Sequence, residues 1–219
     1  IWRNVISGLQ GTVDQYKFVI ESLKRDINSR QAVIEIADPP KDCFNLDGSL
    51  KITKDMPCTR LLNFQVRDGK LDLTVYMRSN DVIFGFSAVN VFNFTLIQEY
   101  IANILKIPVG KYYHVVNNFH YYEDFEKKVD EIINSEYINF ENKLAPFYYS
   151  QDLSSLEEFD ELILSLFEYE KGLRSGVIRY EAKFGNDLFD DWGKIFYRYH
   201  TNNNPEFINP YLNRLFYGM

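Results

Sequence analysis

Cysteine is scarce in these 219 residues: there are two, Cys43 and Cys58. Two thiols cannot supply the disulfide framework of a small secreted domain, and neither stands at metal-ligand spacing from the three histidines. A surplus of basic charge is missing too. The formal net charge is -7, which excludes the broad basic surface that sequence-independent DNA or RNA binding requires, yet leaves room for a local anion pocket. No consecutive apolar run approaches the roughly 18 residues of a membrane span, and no basic-then-apolar leader opens the chain. The expectation is an intracellular, cytoplasmic protein with neither a nucleic-acid nor a membrane partner. Internal repeats and low-complexity stretches are also absent. What is present is a 46% share of hydrophobic residues, enough for one sizeable core, or a core with an appendage.

Read in order, Trp2 to Gly11 carries no clear period, but Tyr16, Val19, Ile20 and Leu23 stand at helical spacing within Asp14 to Ile27. Ala32 to Ile36 reads as a buried strand stopped by Asp38-Pro39-Pro40, and Lys41 to Asp55 as a loop. Two strands follow, joined at Arg67-Asp68-Gly69-Lys70. In the first, Leu62, Phe64 and Val66 alternate with polar neighbours. In the second, Leu71, Leu73, Val75 and Met77 alternate with Asp72, Thr74, Tyr76 and Arg78. Val91 to Leu105 has the period of a central core helix, and Tyr112 to Phe119 is β-like. Beyond Asp124 the pattern turns helical, around Phe125 to Ile133, Leu156 to Leu173 and Leu188 to Tyr199. These signals predict an α/β core over residues 1 to 150 and a helical C-terminal extension, residues 151 to 219, packed on it.

The stretch from Met56 to Asn90 concentrates the chemistry. Cys58 opens the first strand of the hairpin and Arg78-Ser79 closes the second, and antiparallel neighbours lie about 5 Å apart. A thiol beside a guanidinium on the non-core face would be a nucleophile next to an anion site. Each residue also has a plainer role: Cys58 as a buried small hydrophobe, Arg78 as a surface ion pair, His120 as a satisfied polar group, and Asn90 as the N-cap of a helix starting at Val91.

The order Ser29-Arg30, Pro57-Cys58, Arg78-Ser79-x-Asp81, Asn90 and His120-x-Tyr122 resembles thymidylate synthase and its pyrimidine hydroxymethylase relatives. Asp14-Gln15, Asp68-Gly69-Lys70-Leu71 and Gly110 agree with the same pattern, which runs from about Val13 to Tyr122. The resemblance implies a mixed sheet with flanking helices, and a homodimer acting on a pyrimidine nucleoside monophosphate. The one-carbon donor would be 5,10-methylenetetrahydrofolate. Cys58 would add as thiolate to C6 of the pyrimidine. Arg78 and Ser79 would hold the phosphate, with Arg30 reaching the partner subunit's phosphate site. His120 and Tyr122 would hold the sugar 3'-hydroxyl, Asp81 would approach the pterin of the folate, and Asn90 would read uracil through its amide, favouring dUMP.

The sequence also departs from that pattern. Gln31 stands where the family carries a second phosphate arginine, Thr59 where a histidine follows the cysteine, and Asn117-Asn118 where Gly-Asp precedes the His-x-Tyr motif. Asn90 lies one residue further from Gly85 than the usual spacing, which would otherwise select Val89. The family glutamate that organises water has no counterpart in the matched segment, and the final residues Arg214 to Met219 do not match the family's folate-closing tail. The helical region carrying Glu170 to Gly176 is more similar to shorter, phage-like members. Methyl and hydroxymethyl products both stay open on these residues, as does a nucleotide-binding protein that has lost folate chemistry.

Overall fold

The computed structural model describes residues 4–5, 13–53, 56–136, 145 and 147–218. Most of Trp2 to Gly11, and Lys54 with Asp55 of the expected loop, lie outside them. The chain divides into two compact units, Ile1–Glu136 and Tyr137–Met219.

The first unit is built on a four-stranded sheet in the order β3-β4-β5-β6. Strands β4 (Thr59–Arg67) and β5 (Lys70–Asp81) form an antiparallel hairpin in which Arg67 pairs with Lys70. Its two-residue turn requires positive φ at both positions, and Asp68 and Gly69 adopt 51° and 71°. Strand β3 (Val33–Glu35) pairs antiparallel with β4, and β6 (Val109–His120) pairs parallel with β5. A short pair, β1 (Asn4–Val5) with β2 (Val13–Asp14), lies in a separate sheet.

The alternation in β5 does what its period predicts. Leu71, Leu73, Val75 and Met77 are buried while Tyr76 and Arg78 are exposed. Helix α1 (Gln15–Arg25) starts at Asp14, whose carboxylate accepts from Lys17 N, and buries Tyr16, Val19, Ile20 and Leu23. Gln15 then clasps Glu35 of β3 through both of its main-chain polar groups, at 2.9 and 2.8 Å. A short helix, α2 (Pro39–Asp42), takes in the two prolines of the strand stop and the first two residues of the loop expected over Lys41 to Asp55. A proline costs nothing at a first helical turn, where its missing N–H would have no partner.

Between β5 and β6 the chain runs through a π-helical segment, Val82–Asn90, directly into α3 (Val91–Leu105). Phe94, Ile97, Tyr100, Ile101 and Ile104 of α3 are buried, the phenylalanine and the isoleucines each worth about 1.5–3 kcal/mol when removed from water. Joined, the two segments give one helical stretch the length and composition of a membrane span, although no consecutive apolar run reaches that length. The helical stretch Val82–Leu105 is 24 residues long with a mean hydropathy of 1.2 over its most apolar window. A count of consecutive apolar residues misses it because Asn90, Asn93, Gln98 and Glu99 interrupt the run. The same properties suit a core helix with one face on a sheet.

Helix α4 (Glu126–Ile133) ends the described part of the first unit. In the second unit, α5 (Leu156–Arg174), α6 (Asp187–Thr201) and α7 (Pro210–Tyr217) are capped by Ser155, Asn186 and Asn209. Asp191, fully buried in α6, accepts from the main-chain N–H groups of Ile208 and Asn209, each at 2.8 Å, and from the Tyr149 hydroxyl at 3.2 Å. Burial foremost pushes the Tyr149 phenol up to about 12. Helix α7 has a capping Asn before a proline and a Gly at its end. The helical reading of the sequence stopped short of it.

Candidate active site

Strand pairing sets where the chemistry gathers. Cys58 immediately precedes β4, and its main-chain carbonyl accepts from Arg78 N at 2.9 Å, so the thiol-bearing residue and the arginine are ladder neighbours. Cys58 is an exposed free thiol, contrary to the plain reading of a buried small hydrophobe. Nor does Arg78 form an ion pair among the described residues. Its Nη2 donates to the Met56 carbonyl at 2.7 Å and its Nε to the Pro57 carbonyl at 3.2 Å. Two of the five guanidinium N–H groups thus hold the approach to Cys58, and three are left for an anion.

The adjoining ends of β5 and β6 bring in the next residues. Ser79 pairs with Asn118 and Asp81 with His120 in the parallel ladder. The Ser79 hydroxyl lies 3.4 Å from His120 Nδ1 and accepts from Asn118 Nδ2 at 3.4 Å. The His120 and Tyr122 rings meet edge to face, 5.2 Å apart. Tyr122 is exposed and His120 half-buried.

Asp81 caps the π-helical segment. Its carboxylate accepts from Ile83 and Phe84 N through Oδ1 and from Gly85 N through Oδ2, at 3.0, 2.9 and 2.9 Å. Asn90 is therefore not an N-cap: helical backbone already runs through it, and its side chain makes no cap bond. The physical reason lies eight residues upstream, since the helical chain that Asn90 joins begins at Val82. A π-turn closes i→i+5 and so absorbs one residue more than an α-turn. Asn90 faces inward, its Nδ2 donating to Asn80 Oδ1 at 2.9 Å, whereas Val89 is 54% exposed.

That bond leads to residues the motif leaves blank. Asn80, 4% exposed, is the x of Arg78-Ser79-x-Asp81, and its Nδ2 lies 2.9 Å from His114 Nε2. His114 Nδ1 lies 2.6 Å from the Tyr112 hydroxyl. Burial disfavours the charged imidazole of His114, pulling its pKa below the ordinary value, and pushes the Tyr112 phenol up. A Cβ on Gly85 would collide with Asn80 Oδ1, so glycine here makes room for the chain of side chains. The one sequence signal was the alternation of β5, which sets Asn80 two residues beyond Arg78 on the same strand.

Arg30 is not brought to this cluster. It is an exposed residue ahead of β3, whose Val33 pairs with Asn63, five residues from Cys58 or about 16 Å along the strand. Gln31 beside it is exposed too, and Ser29 is buried.

The family model described as thymidylate synthase matches residues 1–172. The chain belongs to the thymidylate synthase family. Among its relatives in that family is a deoxyuridylate hydroxymethyltransferase of Bacillus phage SP01, 40% identical over 153 residues, which are 69% of this chain and 37% of that protein. A deoxyuridylate hydroxymethyltransferase of Delftia phage PhiW-14 is 28% identical over 200 residues, 89% of this chain and 56% of that one. The thymidylate synthase of Listeria monocytogenes serotype 4b (strain CLIP80459) is 30% identical over 168 residues, 77% of this chain and 49% of that protein. The chain thus spans about half or less of the length of most of the relatives it matches. Thermostable thymidylate synthase A from Bacillus subtilis aligns with a TM-score of 0.49 and 28% identity, over 61% of this chain and 45% of that one. Family membership accords with the α/β architecture and the mixed sheet on which the residues above are arranged.

Proposed function

We propose that this thymidylate synthase family chain takes part in one-carbon transfer from 5,10-methylenetetrahydrofolate to C5 of a pyrimidine nucleoside monophosphate, with dUMP favoured. The observation that carries the reading is the pairing of Cys58 with Arg78, where the guanidinium bonds the two carbonyls preceding the thiol residue. The Cys58 thiolate attacks C6, and the π electron pair of the C5–C6 bond makes C5 a carbon nucleophile. The remaining N–H groups of Arg78, with the Ser79 hydroxyl, bind the phosphate. His120 and Tyr122 hold the sugar 3'-hydroxyl, and Asn90 pairs its amide with O4 and N3–H of uracil.

The folate supplies the one-carbon unit. Asp81 is suited to meet its pterin: three of about four carboxylate acceptor sites are occupied by the cap, leaving one for an N–H donor. The exposure of Arg30, and the pairing of the strand that follows it far from the Cys58 end of β4, support a role in a second subunit's phosphate site, and hence a homodimer. The names of the phage relatives favour a hydroxymethyl product. A second reading, nucleotide binding without C5 chemistry, is favoured by Gln31, which withholds one positive charge.

Release of tritium from C5-labelled dUMP and dCMP, with and without methylenetetrahydrofolate, tests the assignment. Folate-dependent release that disappears in Cys58→Ala supports transfer. Binding of dUMP with no release supports the second reading, and binding of neither nucleotide overturns both.

A further inference from the structure

Four side chains form a continuous hydrogen-bonded line from the Asn90 amide into the sheet: Asn90 Nδ2 to Asn80 Oδ1, Asn80 Nδ2 to His114 Nε2, and His114 Nδ1 to the Tyr112 hydroxyl, at 2.9, 2.9 and 2.6 Å. We infer that Asn80 and His114 are specificity-determining residues that hold the Asn90 amide in the orientation matching uracil and opposing cytosine. The inference rests on the proposal that Asn90 reads the base.

Every link in the line has a direction. An amide nitrogen only donates and an amide oxygen only accepts, so Asn80, receiving Asn90 on its oxygen, must present its nitrogen to His114. His114 Nε2 then accepts, which puts the ring proton on Nδ1, where it is donated to the Tyr112 oxygen. Burial, which disfavours the charged imidazole, is consistent with this neutral form. Asn90 keeps one N–H and its carbonyl oxygen for the base, and uracil offers the complementary O4 acceptor and N3–H donor.

Cytosine offers the reverse, an amino donor and a bare N3. Meeting it requires Asn90 to turn over, which sets its oxygen against Asn80 Oδ1. Relief comes only if Asn80 turns too and the His114 proton moves to Nε2. Asn80 is held in place for this: it is buried, and Gly85 leaves no Cβ to displace it. Two amide reversals and a tautomer change therefore stand between the observed arrangement and a cytosine-matched one, which should disfavour dCMP by on the order of tenfold or more.

The test is the ratio of dCMP to dUMP dissociation constants, measured by calorimetry without folate. Asn80→Leu, which breaks the line, is expected to lower the ratio about tenfold. Asn80→Asp is expected to keep it, because a carboxylate accepts from Asn90 with one oxygen and, once the His114 ring proton sits on Nε2, from His114 with the other. A merely structural Asn80 would suffer equally from both. A ratio unchanged in Asn80→Leu, or lost equally in Asn80→Asp, overturns the inference. In the unsubstituted protein the imidazole ¹⁵N shifts of His114 give a readout independent of any variant: a protonated Nδ1 is expected, and a protonated Nε2 in the neutral ring overturns the proposal. If the unsubstituted protein binds neither nucleotide, the base-reading proposal fails first; if it binds dUMP and the variants leave its preference untouched, the line alone fails.

Discussion

Arg78 grips the carbonyls of the two residues that precede Cys58, Met56 at 2.7 Å and Pro57 at 3.2 Å. One side chain therefore positions the segment before Cys58 and keeps three N–H groups for an anion. Arg78→Lys retains the charge but has no planar fork to span two carbonyls and a phosphate. We expect kcat/KM for dUMP to fall on the order of 100-fold, consistent with about 1.5–3 kcal/mol for a hydrogen bond to a charged group. Steady-state C5 tritium release measures it.

Cys58→Ala should abolish C5 exchange while leaving dUMP affinity within about threefold, because the proposed phosphate and base contacts lie on other residues. Calorimetric titration with dUMP separates the two effects. A large loss of affinity would assign Cys58 to ground-state binding instead.

Two substitutions one residue apart distinguish the alternative spacings after Gly85. Asn90→Ala removes the inward amide bonded to Asn80, whereas Val89→Ala alters an exposed side chain. The first should weaken dUMP binding on the order of tenfold and the second should leave it unchanged. Gly85→Ala should resemble the first, because its new methyl meets Asn80 Oδ1.

His114 makes folding stability depend on pH. Burial lowers its folded pKa below the ordinary value of 6.5, so on acidification the unfolded chain takes up the proton first. Stability should therefore decline as pH falls from about 6.5 towards the folded pKa, and His114 contributes no slope above that window. Urea unfolding midpoints at a series of pH values would show the decline, and His114→Phe should flatten it.

Asp191 closes the loop before α7 onto α6. Asp191→Ala leaves the N–H groups of Ile208 and Asn209 without their acceptor, a cost of about 1–3 kcal/mol each. Loss of about 3 kcal/mol from the unfolding of the second unit is expected, followed by the fluorescence of Trp192, whose ring centroid lies 5.0 Å from that of Phe189.

What the sequence determined by itself was local, or carried by order along the chain. The alternation of Leu71, Leu73, Val75 and Met77 specified the buried face of β5, because a strand's side chains repeat every two residues. Asp68-Gly69 specified the hairpin turn, because its geometry demands positive φ. The ordered motif from Ser29-Arg30 to His120-x-Tyr122 pointed to the family that the family model matches. Tertiary structure decided the rest. The fork of Arg78 on Met56 and Pro57 needs β4 and β5 paired in their observed register. The inward turn of Asn90 depends on a π-turn, a choice among helical hydrogen-bond patterns that no single residue dictates. The line through Asn80 and His114 joins positions 34 residues apart, and their meeting depends on the parallel pairing of β5 with β6, which spacing along the chain does not encode.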